Sequence, residues 1–149
     1  MDKIDPEKAR QVWQRVQSTA STPREQGLTE LIVQEWTNAA TYLQLSRRMQ
    51  GKSAIDLRKI HEQEMSNAAC LKGIYTLLTG SRPTIRATPQ KAENPEAVLR
   101  HCYGQEMRCL AQYEARRTDP EYGQVFARLA TQKQEHCRLV LALLGSLKA

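Results

Sequence analysis

The sequence is poor in aromatic residues and contains no long apolar run. Aromatic side chains make up 5% of the 149 residues, and valine and isoleucine are sparse. No segment alternates apolar and polar residues as a half-buried strand does. Alanine, leucine, glutamine, glutamate and arginine dominate instead, and these residues suit helices. No apolar stretch approaches the ~20 residues that span a bilayer. The composition therefore predicts an all-α protein without a membrane partner.

The sequence also lacks paired cysteines. Its cysteines are Cys70, Cys102, Cys109 and Cys137, and they form no C-x-x-C pair. Zinc-ribbon and rubredoxin-type sites are therefore excluded. Each cysteine falls inside a predicted helix, where we expect a small buried side chain in a reducing compartment. The N-terminus leads into charged residues without an apolar signal segment, so a cytoplasmic location is expected.

Positive charge exceeds negative charge, but it forms no continuous patch. The chain has 22 Lys and Arg against 16 Asp and Glu, a formal net charge of +6. The basic residues occur in small groups at predicted helix ends, such as Arg47 with Arg48 and Arg116 with Arg117. Cations at helix C-termini complement the helix dipole. No aromatic residues are interleaved with them, so the pattern argues against a nucleic-acid partner.

Capping residues, prolines and glycines mark the ends of five predicted helices. Asp or Asn followed by Pro is a helix start, and Gly is a helix end. The expected helices run from Asp5 to about Thr19, from about Thr29 to Gly51, from Ser53 to Gly80, from Asn94 to the turn at Asp119, and from Asp119-Pro120 onward.

The lengths of the connections predict the topology. Tight turns at Gly51 and Asp119 make antiparallel hairpins, whereas the segment from Ser81 to Glu93 is long enough to run the length of the helices. We therefore expect a four-helix bundle of two antiparallel hairpins joined by a long crossover. Residues 27–149 would form this single domain, and residues 1–26 a short accessory helix and its linker.

Polar residues interrupt the apolar seams of the four long helices at their centres. If the seams face one another, the interrupting residues meet in one buried layer, where an unpaired charge would cost several kcal/mol. The pattern repeats between the hairpins, because Glu35 precedes Tyr42 by seven residues and Glu106 precedes Tyr113 by seven. The residues expected in the layer are Glu35, Glu64, Asn67, Glu106, Lys133 and His136.

The di-iron or di-manganese site of ferritin-like bundles takes one glutamate from each of two helices and a Glu-x-x-His pair from each of the other two. From Thr29 to Leu147 the chain resembles the ferritin-like superfamily and its rubrerythrin-like branch. The resemblance rests on Gln34-Glu35 with Tyr42, on residues 62–68, on Glu106 with Tyr113, on residues 125–127 and on Glu135-His136.

The resemblance implies a set of metal ligands. Glu35 and Glu106 would be terminal carboxylate ligands, and Glu64 would bridge two metals. His136 would be the nitrogen ligand of the second metal. Tyr42 and Tyr113 are expected mainly as core aromatics whose hydroxyls need hydrogen-bond partners.

Two positions depart from the family pattern. Asn67 stands where the first motif has its histidine, and Lys133 stands where the second has its bridging glutamate. An amide oxygen does not replace imidazole as an iron ligand. An ammonium group would repel a divalent ion within ~4 Å by several kcal/mol at an effective dielectric constant of about 20. We therefore expect Lys133 to replace the metal and to neutralise a carboxylate, with Asn67 and Tyr42 or Tyr113 donating hydrogen bonds to others.

Three functions remain open on the sequence alone. A metal-free bundle with a structural or interaction role is favoured, with no cofactor. The alternative is an oxidoreductase for peroxide reduction or ferrous oxidation. It would use one iron or manganese ion on Glu64, Glu106 and His136, and it would need an external electron donor. The third candidate is a role in protecting nucleic acid, and the lack of a basic patch in the sequence argues against it. A homodimer is compatible with the fold class. His61 and His101 are expected to be surface residues.

Overall fold

The computed structural model describes residues 5–8, 10, 23–86, 88 and 93–147, and within them the chain is helical and contains no strand. The long helices are α1 (Pro23–Ser46), α2 (Gly51–Thr79), α3 (Pro95–Ala115) and α4 (Gly123–Leu147). The all-α prediction is confirmed. Most of the predicted accessory helix lies outside the described residues, although residues 6–8 are helical. None of the described helices has the length and apolar character needed to cross a membrane.

Two predicted helix ends are confirmed in detail. The Asn94 side chain accepts a hydrogen bond of 2.8 Å from the backbone N–H of Ala97, and Pro95 is the first residue of α3. At the end of α2, Gly80 takes a left-handed φ of 74° and its N–H donates to the carbonyl of Thr76. Glycine adopts this conformation without steric cost, so α2 ends where the sequence predicted.

Other ends differ from the prediction. The first long helix begins at Pro23 rather than near Thr29, because a proline at the first helical position has a suitable φ and loses no hydrogen bond. It ends at Ser46, where the hydroxyl donates to the carbonyl of Leu43. The next helix begins at Gly51 with Gln50 before it, so Ser53 is not its cap.

The start of α4 is also later than predicted. The Asp119 carboxylate accepts bonds of 2.9 Å from the backbone N–H groups of Glu121 and Tyr122, as a capping residue does. Residues 120–122 nevertheless form a turn, and α4 begins at Gly123. A side chain at Gly123 would collide with the carbonyl oxygen of Arg117, 2.4 Å from an ideal Cβ. Glycine therefore allows the close approach of the turn to the helix.

Neighbouring helices pack in antiparallel directions. Helix α1 contacts α2 and α3, and α4 contacts α2 and α3. Tyr42 bonds to Glu106 whereas Tyr113 bonds to Glu35, so residue numbers rise along α1 as they fall along α3. Glu64 meets His136 and Asn67 meets Gln132, which gives the same reversal between α2 and α4.

The apolar core consists of two clusters separated along the helices. One contains residues from all four helices toward the start of α1, namely Leu28, Leu31, Ile32, Leu71, Ile74, Cys109, Tyr113, Phe126, Leu129 and Ala130. The other lies toward the end of α1 and comprises Tyr42, Leu45, Leu57, Ile60, Val98, Leu99, Cys102, Val140 and Leu143. Between them lie the polar residues that interrupt the seams, so the fold sets a charged layer inside apolar packing.

Candidate functional site

The polar layer comprises the six residues expected from the sequence, and the fold brings all of them together. Glu35, Glu64, Glu106, Lys133 and His136 are fully buried, and Asn67 is 4% exposed. Each long helix contributes at least one of them because the interrupted seams face a common interior. Buried charged groups are tolerated only when they are paired and hydrogen-bonded, so the contacts within the layer determine its chemistry.

Lys133 lies at the centre of the layer. Its Nζ is 2.6 Å from Glu64 Oε2 and 3.4 Å from Glu106 Oε2. The same ammonium group forms an ion pair with Glu35 Oε1. An ammonium group has three N–H donors and accepts none, which suits a position among three carboxylates. One side chain from α4 therefore connects carboxylates on the other three helices.

Two tyrosines bridge α1 and α3 in a reciprocal pattern. The Tyr42 hydroxyl donates to Glu106 Oε1 at 3.2 Å, and the Tyr113 hydroxyl donates to Glu35 Oε1 at 3.1 Å. Burial raises the pKa of both phenols well above the usual value, and the nearby carboxylates raise it further. Both tyrosines are therefore neutral hydrogen-bond donors. The reciprocal bonds give the layer the pseudo-twofold symmetry that the sequence repeat suggested.

Amide side chains complete the layer at its edges. Asn67 donates from Nδ2 to Glu35 Oε2 at 3.1 Å and also to Gln132 Oε1. His136 directs Nε2 at Gln63 Oε1, 2.6 Å away. Gln63 and Gln132 were missed in the sequence because they flank the seams and do not lie on them. Their only signal is that each directly precedes a residue of the layer, Glu64 and Lys133.

The protons and charges of the layer follow from these contacts. Burial, with the charges of Glu106 and Glu35, raises the pKa of Glu64 well above its usual value, which favours a proton on this carboxyl. Burial alone would also raise the pKa of Glu106, but Lys133 and hydrogen bonds from Glu64 and His136 outweigh it and hold that pKa well below the usual range. The three carboxylates similarly outweigh burial at Lys133 and raise its pKa.

The His136 ring lies between two carboxylates and an amide oxygen. Its Nδ1 lies 3.0 Å from Glu64 Oε1 and 3.3 Å from Glu106 Oε2, while Nε2 faces the oxygen of Gln63. Because both ring nitrogens face oxygen acceptors, a doubly protonated ring satisfies all of these contacts. A doubly protonated His136 and the Lys133 ammonium group would balance the charge of the layer if the three glutamates together hold one proton. The layer is neutral in this state without any bound ion.

The raised pKa of Glu64 predicts a pH dependence of stability. A group with a raised pKa in the folded state stabilises the protein fully below its unfolded pKa, here about 4.5, and loses that contribution as the pH rises. Between the unfolded and the folded pKa, one proton held only in the folded state makes the unfolding equilibrium constant rise about tenfold per pH unit. We expect Glu64→Gln to remove this loss, so the variant gains stability relative to the parent as the pH rises above about 4.5.

Urea unfolding at several pH values measures this difference. Glu62→Gln is the matched control, because Glu62 is exposed on the same helix. It is expected to leave the pH slope unchanged. Parallel slopes for Glu64→Gln and the parent would contradict a proton on Glu64.

Three groups of the layer have the composition of a metal site. Ligand atoms of Glu64, Glu106 and His136 lie within 4.8 Å of one another. Lys133 and the His136 ring already contact the two carboxylates, however, so an ion could bind only if the ammonium group moved away. A second metal has still fewer ligands, since Asn67 offers its amide nitrogen to Glu35 and no imidazole. The side chains therefore do not fit a di-metal pair.

The other candidate residues lie outside the layer. His101 is exposed, as expected. The expectation for His61 was wrong, because its ring is half-buried and Nδ1 lies 2.7 Å from the carbonyl oxygen of Ala39 on the neighbouring helix. All four cysteines are free thiols. Burial raises the pKa of Cys102 to about 12, so this thiol beside the layer remains protonated and unreactive.

Comparison of the chain with models of protein families, with curated proteins and with solved structures gives no match.

Proposed function

We propose that the chain is a ferritin-like four-helix bundle in which a lysine replaces the metal ions, and that its role is structural or interaction-mediating. The antiparallel contacts between neighbouring helices support this topology. The position of the polar layer between two apolar clusters corresponds to the metal layer of ferritin-like bundles. The resemblance of the ligand positions to rubrerythrin-like proteins is part of the same proposal.

One observation carries the proposal: the Lys133 ammonium contacts all three buried glutamates. A divalent ion bound to the same carboxylates would lie near this charge. At 4 Å and an effective dielectric constant of 20, each unit of charge on the ion would be repelled by about 4 kcal/mol. The ammonium group supplies positive charge at the same place and a hydrogen bond to Glu64, while Glu106 Oε2 has ion-pair contacts with Lys133 and His136 but no hydrogen bond.

Elemental analysis tests the proposal directly. The protein would be expressed with added iron and manganese and purified without chelator. We expect less than about a tenth of an equivalent of any transition metal, because Lys133 competes for Glu64 and Glu106. Two equivalents would contradict the assignment of Lys133 as the replacement for the metals.

A mononuclear oxidoreductase is the second candidate, and the proximity of Glu64, Glu106 and His136 favours it. Two carboxylates and one histidine have the composition of a mononuclear iron or manganese site. About one equivalent of metal that is lost in both Glu106→Ala and His136→Ala would support this function. Peroxide and oxygen assays with an external electron donor would then follow.

The proposal includes a location and partners. Four free cysteines suit the cytoplasm, where thiols remain reduced. Partners of a non-catalytic bundle would be proteins, including a second copy of the chain in a homodimer. The dispersed basic residues do not favour nucleic acid.

A further inference from the structure

A basic cleft lies on the surface of α2, away from the buried layer. It has a volume of about 400 Å³, which is at the small end of the range for small-molecule sites. The loop that follows α2 begins beside this cleft, so the walls of the cleft come from both the helix and the loop. Among the residues that the structure describes, its lining contains two cations, a hydroxyl and no carboxylate, and these residues are Lys72, Gly73, Thr76, Arg82, Pro83 and Ile85.

The two cations of the cleft are not explained by ion pairs. Within residues 23–86, 88 and 93–147, neither Lys72 nor Arg82 forms one. The helix dipole does not explain Lys72 either, because the effect is confined to the last turn and Lys72 lies seven residues before Thr79, where α2 ends. Lys72 and Arg82 therefore both line the cleft without an ion-pair partner among the described residues.

The loop that carries Arg82 is held in place. Gly80 adopts a left-handed backbone conformation, and the hydroxyl of Thr79 accepts a 3.1 Å hydrogen bond from the N–H of Ser81. Farther along, Ile85 packs against the apolar cluster of α1 and its neighbours. Arg82 itself is exposed, but its backbone lies between these two contacts, so the loop wall of the cleft is defined in the free protein. Preorganisation of this kind lowers the cost of binding.

We propose that this cleft binds the phosphate group of a small phosphate monoester. Arg82 and Lys72 would provide charge-assisted hydrogen bonds to the phosphate oxygens. The Thr76 hydroxyl lines the same wall and adds a neutral donor. Pro83 and Ile85 provide apolar surface for the organic part of the ligand. This site is independent of the buried layer and of the proposed absence of metal.

Trp36 provides a reporter for the proposed site. The Nζ atom of Lys72 lies 4.0 Å from the centroid of the Trp36 ring, in a cation–π contact. A phosphate that draws the ammonium group into the cleft would weaken this contact and change the fluorescence of Trp36. The chain has two tryptophans, so Trp13→Phe leaves Trp36 as the single emitter.

The experiment titrates the Trp13→Phe protein with glycerol 3-phosphate, with inorganic phosphate and with sodium chloride at matched ionic strength. We expect a saturable change with both phosphates and several-fold tighter binding of the monoester. In this background Arg82→Gln should weaken binding about tenfold, as for the loss of one charge-assisted bond. Arg100→Gln on α3 is the matched control, because Arg100 is exposed, pairs with Glu96 and does not line the cleft, and it should not change the affinity.

Amide chemical shifts give an independent measurement. Glycerol 3-phosphate should shift the Gly73 and Thr76 resonances in the parent protein, and circular dichroism would verify that Arg82→Gln is folded. Equal fluorescence changes with chloride and phosphate would overturn the proposal. So would unchanged affinity in folded Arg82→Gln, while equal binding of inorganic phosphate and the monoester would overturn the choice of a monoester.

Discussion

Replacement of Lys133 by methionine is expected to lower the free energy of unfolding by about 3–5 kcal/mol at pH 7. Methionine has a similar length, so the variant removes the charge without leaving a large cavity. Glu35 and Glu106 would lose the ammonium group that pairs with them in the fully buried layer. Breaking a buried ion pair by removing one partner is costly because the other charge stays buried and uncompensated.

Chemical denaturation at several pH values measures this effect and its origin. Without the ammonium group, the folded state is expected to hold the glutamates with raised pKa values. Their contribution to stability is then present below the unfolded pKa and decreases as the pH rises, so the deficit of Lys133→Met should be smaller at pH 5 than at pH 7. Lys59→Met, an exposed lysine of α2, is the control and should change stability little. A loss below about 1 kcal/mol for Lys133→Met would mean that its charge is not buried with the glutamates.

The combination of Asn67→His with Lys133→Glu is expected to change the metal content from nearly none to about two equivalents. The two substitutions restore the imidazole and the bridging carboxylate of the di-metal pattern. Four carboxylates in the layer would then balance two divalent ions, and the repulsive ammonium group would be gone. The positions are suitable because Asn67 and Lys133 already contact the buried Glu35 carboxylate.

Elemental analysis and the absorbance of the iron-loaded protein measure this change. Each single variant is a control: Asn67→His retains the ammonium group, and Lys133→Glu adds a carboxylate without the second imidazole. Both should bind much less metal than the double variant. If the double variant folds and binds no iron, the proposed correspondence with a di-metal layer is wrong.

The sequence predicted the layer well because seam positions in helices follow a fixed spacing. Glu64 and His136 could be assigned to the interior from the apolar residues three and four positions away, without knowledge of the fold. Gln63 and Gln132 could not, because their role depends on how the helices rotate against each other. Charge states were likewise open in the sequence, since the proton on Glu64 follows from the distances among several side chains.

Helix ends were predicted best where one residue determines the geometry. Asn94 and Gly80 each impose a cap by their own chemistry, and both ends were correct. The turn between α1 and α2 was less predictable because backbone hydrogen bonds close it, such as the one from Arg48 N–H to the carbonyl of Leu45. Any residue with an N–H group can form such a bond, so the sequence carries little signal for it.

The reciprocal tyrosine bonds also determine the register of the two hairpins. Apolar seams alone would tolerate a slide of one heptad, about 10 Å along the axis. In the observed alignment, Tyr42 is hydrogen-bonded to Glu106 and Tyr113 to Glu35. After such a slide of α1 along α3, Glu35 would face Glu106 and the Tyr42 hydroxyl would face Leu99. A like-charge contact and an unpaired hydroxyl would penalise that arrangement. The layer therefore selects one alignment among those that the apolar core would permit.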